Sequence, residues 1–147
     1  MKVLAVASGG GHWTELMRLR PAFEGADVTY VTVQRYYADD VAGHRFFVIP
    51  DATRWDRVKL VLLVLRLVWI LLRVRPDAVV TTGSAPGFLA LRFGRLFRAR
   101  TVWIDSFANT EEMSLSGKLA GRYADLWLTQ WAHLANEDGP DHAGAVL

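Results

Sequence analysis

Short apolar runs alternate along this chain with longer segments whose apolar positions fall at helical spacing. The first run, residues 3–7, has the length of a buried strand. It stops at Ser8-Gly9-Gly10-Gly11-His12, and the chain restarts at Trp13 in a helical pattern that reaches Arg20 and ends at Pro21. Leu16, Leu19 and Phe23 take its core-facing positions. Residues 28–33, rich in Val, Thr and Tyr, predict a second strand, and residues 45–49, closed by Pro50, a third. The polar and aromatic stretch 34–43 between them predicts a short helix. Three more strands are expected at 78–81, 101–104 and 126–129, with helices over 84–97 and 114–123. Ser84 suits an N-cap and Pro86 a first helical turn. Beyond Asn136 the composition is too poor in apolar side chains to hold order, so 1–135 reads as one domain and 136–147 as a disordered tail.

Strands alternating with helices predict an α/β domain on a doubly wound, mostly parallel, Rossmann-like sheet. Ligands of such sheets bind outside the carboxyl ends of the strands. The polar turns at 8–12, 82–87 and 105–109 all fall on that edge.

Residues 57–75 predict an unusually apolar helix, broken near its centre only by Arg66. Lys59, Arg66 and Arg73 recur every seventh residue. At about 3.6 residues per turn they form one narrow basic stripe with apolar surface around it, Trp69 included. A spanning helix needs about 20 apolar residues and tolerates a central arginine poorly, so a transmembrane span is rejected. Two readings remain open: a crossover helix packed on the sheet, or one that also lies in a membrane interface.

Composition narrows the field. The 147 residues suit one domain, with 52% apolar and 22% charged residues, no cysteine and a net charge of +2. Disulfides, thiolate nucleophiles and sulfur-ligated metals are excluded, and no signal-peptide pattern opens the chain. The pI of about 9.2 reflects a modest basic excess that does not by itself indicate nucleic acid, and the six tryptophans form no periodic base-stacking set.

The glycine turn fails as a dinucleotide fingerprint, because Thr14 stands where the last small residue belongs and Gln34 and Arg35 follow the second strand in place of an acid. No cofactor is assigned. His44, His133 and His142 are scattered, and no metal site is assigned either. His12 is the sharper candidate: the positive end of a helix dipole favours neutral imidazole, which suits a general base, while the plain alternative is a partly buried histidine. Glu15 either orients His12 or a sugar hydroxyl, or is a solvated helix residue. Asp105 either caps its turn or meets a ligand. Gln130 and Trp131 close the last strand as interface anchors or as core.

Taken in order, Gly9-Gly10-Gly11-His12 with Glu15-Leu16, Thr82-Gly83-Ser84-Ala85-Pro86-Gly87, Asp105-Ser106-Phe107, Ser114-Leu115-Ser116-Gly117-Lys118, and Ala124-Asp125 with Gln130-Trp131 carry a resemblance. The chain resembles the acceptor-side, membrane-associated subunit of the split UDP-N-acetylglucosamine transferase of the dolichol pathway, and more closely its bacterial relatives in exopolysaccharide and capsule synthesis. It is similar, more distantly, to the N-terminal half of the transferase acting on the lipid-linked peptidoglycan precursor. The resemblance implies one half of a GT-B glycosyltransferase, with the donor-sugar domain on a separate chain and a polyprenyl-diphosphate-linked saccharide as acceptor. It implies His12 as base on the acceptor hydroxyl and Gly9, Gly10, Gly11, Gly83, Ser84 and Gly87 as diphosphate cradle. Asp105, Ser106 and Asn109 would form an acceptor-sugar or partner loop, and Gln130 and Trp131 a partner interface. Lys59, Arg66, Trp69 and Arg73 would meet the membrane, placing the protein peripherally on its cytoplasmic face. The family pattern carries Glu at Asp105, Arg at Asn109 and often Pro at Ala132, so a cation is missing from that loop. A non-catalytic membrane scaffold and a stand-alone nucleotide-binding domain are the rival readings.

Overall fold

The computed structural model describes residues 1–53 and 55–146. Its strands are β1 (Lys2–Val6), β2 (Asp27–Thr32), β3 (Arg45–Val48), β4 (Ala78–Thr81), β5 (Arg100–Ile104), β6 (Leu126–Thr129) and β7 (Asp141–His142); its α-helices are α1 (Gly11–Arg18), α2 (Arg57–Val74), α3 (Ser84–Leu96) and α4 (Leu115–Ala120). All seven strands join one parallel sheet in the order β3-β2-β1-β4-β5-β6-β7. The stretch expected as a short helix forms a 3-10 turn, Arg35–Val41.

β1 lies at the centre, with Val6 opposite both Val31 of β2 and Thr81 of β4. Its Leu4 and Val6 join the core beneath α2 and α3, while Val3 and Ala5 join Trp13 and Leu16 of α1 on the other face. A strand covered on both sides needs apolar residues at every position, which is why β1 shows no alternation. The chain winds outward through β2 and β3, then returns to lay β4 on the free side of β1. That reversal opens a crevice between the turns that follow β1 and β4.

Helix α2 starts where Asp56 accepts a hydrogen bond from the Lys59 N–H at 3.0 Å, and ends at Arg75 in the left-handed region, φ 51°, just before Pro76. It buries Leu63, Leu67, Ile70, Leu71 and Val74. At roughly 2 kcal/mol per aliphatic side chain this is on the order of 10 kcal/mol of transfer free energy. Its opposite side leaves Val58, Leu62, Leu65, Trp69 and Leu72 exposed, at alternating spacings of four and three. The helix therefore has two apolar faces: one is buried in the core, and the other stays open apart from Trp69, which stands edge-on to Phe47 of β3.

The segment 136–147, expected to be a disordered tail, is otherwise as far as it is described. Asn136 organises a turn through the N–H groups of Asp138 and Gly139, and Asp141–His142 then pairs with Leu128 and Thr129 of β6. Strand pairing satisfies backbone groups and asks little of side chains, so composition does not reveal it.

Gly87, expected at a diphosphate, is buried instead. A Cβ there would overlap Thr81 Oγ1, and one at Gly94 would come within 2.6 Å of Val79 Cγ2. The two glycines let α3 lie directly on β4. Gly87→Ala is expected to lower stability by about 1–3 kcal/mol, read as an earlier midpoint in urea unfolding; an unchanged midpoint would contradict this packing.

Candidate functional site

His12 stands in the first turn of α1, where its Nδ1 lies 2.9 Å from the Thr82 carbonyl oxygen and Thr82 Oγ1 donates to the His12 carbonyl at 2.7 Å. A carbonyl only accepts, so Nδ1 carries the proton and Nε2 is the lone-pair nitrogen. Among the described residues Nε2 has no partner. The ring lies against Gly83, whose φ is 127° and where a Cβ would come within 2.9 Å of the imidazole Cε1. Gly83, expected in the cradle, thus makes room for the imidazole. Sequence reasoning quoted Thr82 within a motif but gave it no role.

Beside this clasp is a pocket of about 400 Å³, whose lining includes Ser8, Gly9, Gly10, Gln34, Asp51 and Ser84. Gly9, Gly10 and Ser84, from two separate turns, come together there. Gly11 opens α1 outside the pocket and is exposed. The Gly10 N–H donates to the Tyr37 hydroxyl at 2.9 Å, and Tyr37 stacks on Trp13 with ring centroids 4.9 Å apart. Tyr37 was missed because nothing in its neighbourhood of sequence marks contact with a turn 27 residues earlier. Tyr36 also lines the pocket, and its hydrogen bond to Tyr37 raises its phenol above the ordinary value.

Ser84 is not the N-cap. Gly83 holds that position without a side-chain cap, and Ser84 opens the thirteen-residue α3 at φ 68° with its Oγ buried and unpartnered. A non-glycine residue in the left-handed region and an unmet buried hydroxyl both cost free energy. They sit at a helix N-terminus, whose unpaired N–H groups and dipole favour an anion.

The remaining polar candidates form a second cluster that is internal. Glu15 is buried; its Oε1 accepts from the Phe107 N–H at 2.7 Å, Gln130 Nε2 at 3.1 Å and Ser106 Oγ at 3.4 Å. It makes no hydrogen bond to His12, so it ties α1 to the loop after β5 instead of acting on the imidazole. Asp105, 1% exposed, accepts from Trp103 Nε1, Ser114 Oγ, the Ser114 N–H and Asn109 Nδ2. Its capping alternative is the observed one, and Asn109 braces it. Gln130, expected at a partner interface, is 4% exposed: its Nε2 also donates to the Asp105 carbonyl, and its Oε1 accepts from the Val146 N–H. Trp131 stacks on Phe107 and donates to that residue's carbonyl at 2.8 Å.

On α2, Lys59, Trp69 and Arg73 are exposed. Arg66 is held at the sheet edge, its Nε donating to the Val48 carbonyl and its guanidinium over the rings of Trp69 at 4.8 Å and Phe47 at 5.6 Å. Among the described residues no helix is long and apolar enough to cross a membrane, and no group of three or more His, Asp or Glu is placed to hold a metal ion.

This arrangement is the N-terminal half of a GT-B fold. The chain matches MurG of Acinetobacter baumannii with a TM-score of 0.76 over 98% of its length, at 14% identity, spanning 46% of that chain. It also matches the UDP-GlcNAc 2-epimerase of Methanocaldococcus jannaschii at a TM-score of 0.63 and 12% identity, covering 88% of this chain and 39% of that one. Sequence narrows the class further: residues 57–146 match the family described as "Oligosaccharide biosynthesis protein Alg14 like", and the chain belongs to it. The UDP-N-acetylglucosamine transferase subunit ALG14 of Eremothecium gossypii is 27% identical over 165 residues, covering 90% of this chain and 74% of that protein. ALG14 of Cryptococcus neoformans is 35% identical over 57 residues, 39% of this chain and 25% of that one.

Ser84→Gly removes both the left-handed strain and the unmet hydroxyl. It is expected to raise the unfolding free energy by about 1 kcal/mol while weakening pyrophosphate binding severalfold, measured by denaturant titration and calorimetry; a loss of stability would contradict the stored strain.

Proposed function

We propose that this chain is the acceptor-binding subunit of a two-component, inverting glycosyltransferase. It would extend a polyprenyl-diphosphate-linked saccharide, in exopolysaccharide or capsule synthesis by the sequence resemblance, with the nucleotide-sugar supplied by a donor domain on another chain. The observation that carries this reading is the pairing of a lone-pair Nε2 on His12 with a strained, anion-seeking helix start at Ser84, in adjacent turns of one crevice. Family membership supports it.

In the reaction, Nε2 takes the proton of the acceptor hydroxyl as its oxygen bonds to the anomeric carbon from the side opposite the leaving group. The bond from that carbon to the nucleoside diphosphate breaks, and the electron pair leaves with the diphosphate. Gly9, Gly10 and Ser84 line the seat of the acceptor's own diphosphate, with the open N–H groups at the start of α3 and the Ser84 hydroxyl supplying donors while the Gly10 N–H stays with Tyr37. Glu15 serves as a positioning residue: it fixes α1, and so His12, against the loop after β5.

The exposed apolar face of α2, flanked by Lys59 and Arg73, would rest in the headgroup region on the cytoplasmic side, bringing the crevice to a lipid-borne acceptor. Leu65→Glu with Trp69→Glu is expected to abolish flotation with anionic liposomes without loss of fold by circular dichroism. Retained flotation would leave that face unexplained by lipid.

With the donor partner co-purified, His12→Ala is expected to reduce turnover by about 10²–10⁴-fold while leaving the complex intact on size-exclusion chromatography. Unchanged turnover would remove His12 from the mechanism.

A further inference from the structure

A second cavity, about 740 Å³, lies along the β3 edge beneath α2. Its walls are Phe46, Phe47, Ile49 and Leu62, with Arg35 and Arg66 among its lining. That volume falls within the ~300–1,000 Å³ of sites that bury small ligands. It is not isolated: Gln34 and Asp51 line the anion pocket, and their chain neighbours Arg35 and Pro50 line this groove. At its other end Leu62 belongs at once to the groove and to the exposed apolar face of α2. The groove and the candidate diphosphate cradle therefore adjoin at residues 34–35 and 50–51, and the groove's other end reaches that face.

The charges along the groove are ordered. Arg35 stands next to the cradle, and neither it nor Arg66 has a carboxylate partner among the described residues. Arg66 is fixed by the Val48 carbonyl and two ring faces, so it stiffens the wall and leaves its apolar stem as lining. A ligand fitting this order is anionic at the cradle end and apolar beyond it.

We propose that the groove is a binding site for the first isoprene units of a prenyl diphosphate, leading them from the cradle to the outer face of α2. This rests on the acceptor reading above and adds to it a recognition of the lipid itself, independent of any membrane.

The test is calorimetry on the full chain, without vesicles or detergent, using inorganic pyrophosphate and geranyl diphosphate as probes. Geranyl diphosphate is expected to bind at least tenfold more tightly. Ala38→Trp, which fills the groove from the 35–41 turn, and Leu62→Asn, at an exposed position, should each bring it toward the pyrophosphate value while leaving pyrophosphate binding unchanged. Equal affinities for the two probes in the unmodified chain, or a prenyl preference untouched by both variants, would overturn the groove and leave the cradle standing. Displacement of geranyl diphosphate by monomeric dihexanoyl-phosphatidylglycerol at similar concentration would make it an acyl-lipid site and overturn the prenyl assignment. Binding of neither probe would overturn cradle and groove together.

Discussion

Two hydrogen bonds exchanged between His12 and Thr82 hold together turns that lie 70 residues apart. One fixes the imidazole and decides which nitrogen carries its proton; the other fixes the backbone of α1's first turn. Gly83 is required because the ring occupies the space of a side chain. Ser84 follows, its hydroxyl buried and unmet in the left-handed conformation. The crevice and its two chemical capacities thus depend on a contact that neither turn makes alone.

Much of this was legible in the sequence for identifiable reasons. The apolar runs placed six strands, since a doubly covered sheet imposes uninterrupted burial, and Arg57 to Val74 declared its helix by length and composition. Three glycines before His12 marked a strand exit. What the sequence could not disclose was which polar groups face inward. Glu15 read as a ligand contact, a His12 partner or a solvated residue, Asp105 as a cap or a ligand contact and Gln130 as interface or core. None of these readings showed that they bond to one another's loops across as many as 115 residues. Burial of a carboxylate becomes apparent only when its donors are in place. Gly87 was given to the diphosphate cradle by the resemblance; the close approach of α3 to β4 demands the same residue type. The pairing of Asp141–His142 with β6 was not foreseen because backbone pairing leaves no mark on composition.

The interior cluster and the crevice are two layers of one design. Glu15 anchors α1 to the loop after β5, Gln130 joins both to β6 and to Val146, and the helix so fixed carries His12 at its start. Rigidity behind the crevice lets its open side await a ligand and, in the proposed function, a second domain. Helix α2 shows the same division, with one face given to the core and the other left apolar toward the surroundings.

The most direct test of the account is the tautomer of His12, observed by long-range ¹H–¹⁵N NMR of the chain with labelled histidine. The account predicts, with the ring neutral, a protonated Nδ1 and a pyridine-type Nε2 in the folded chain, giving way to a mixture of tautomers when denaturant unfolds it and the Thr82 carbonyl is lost as a partner. A protonated Nε2 in the intact chain would contradict it, because the nitrogen presented as base would then be a donor.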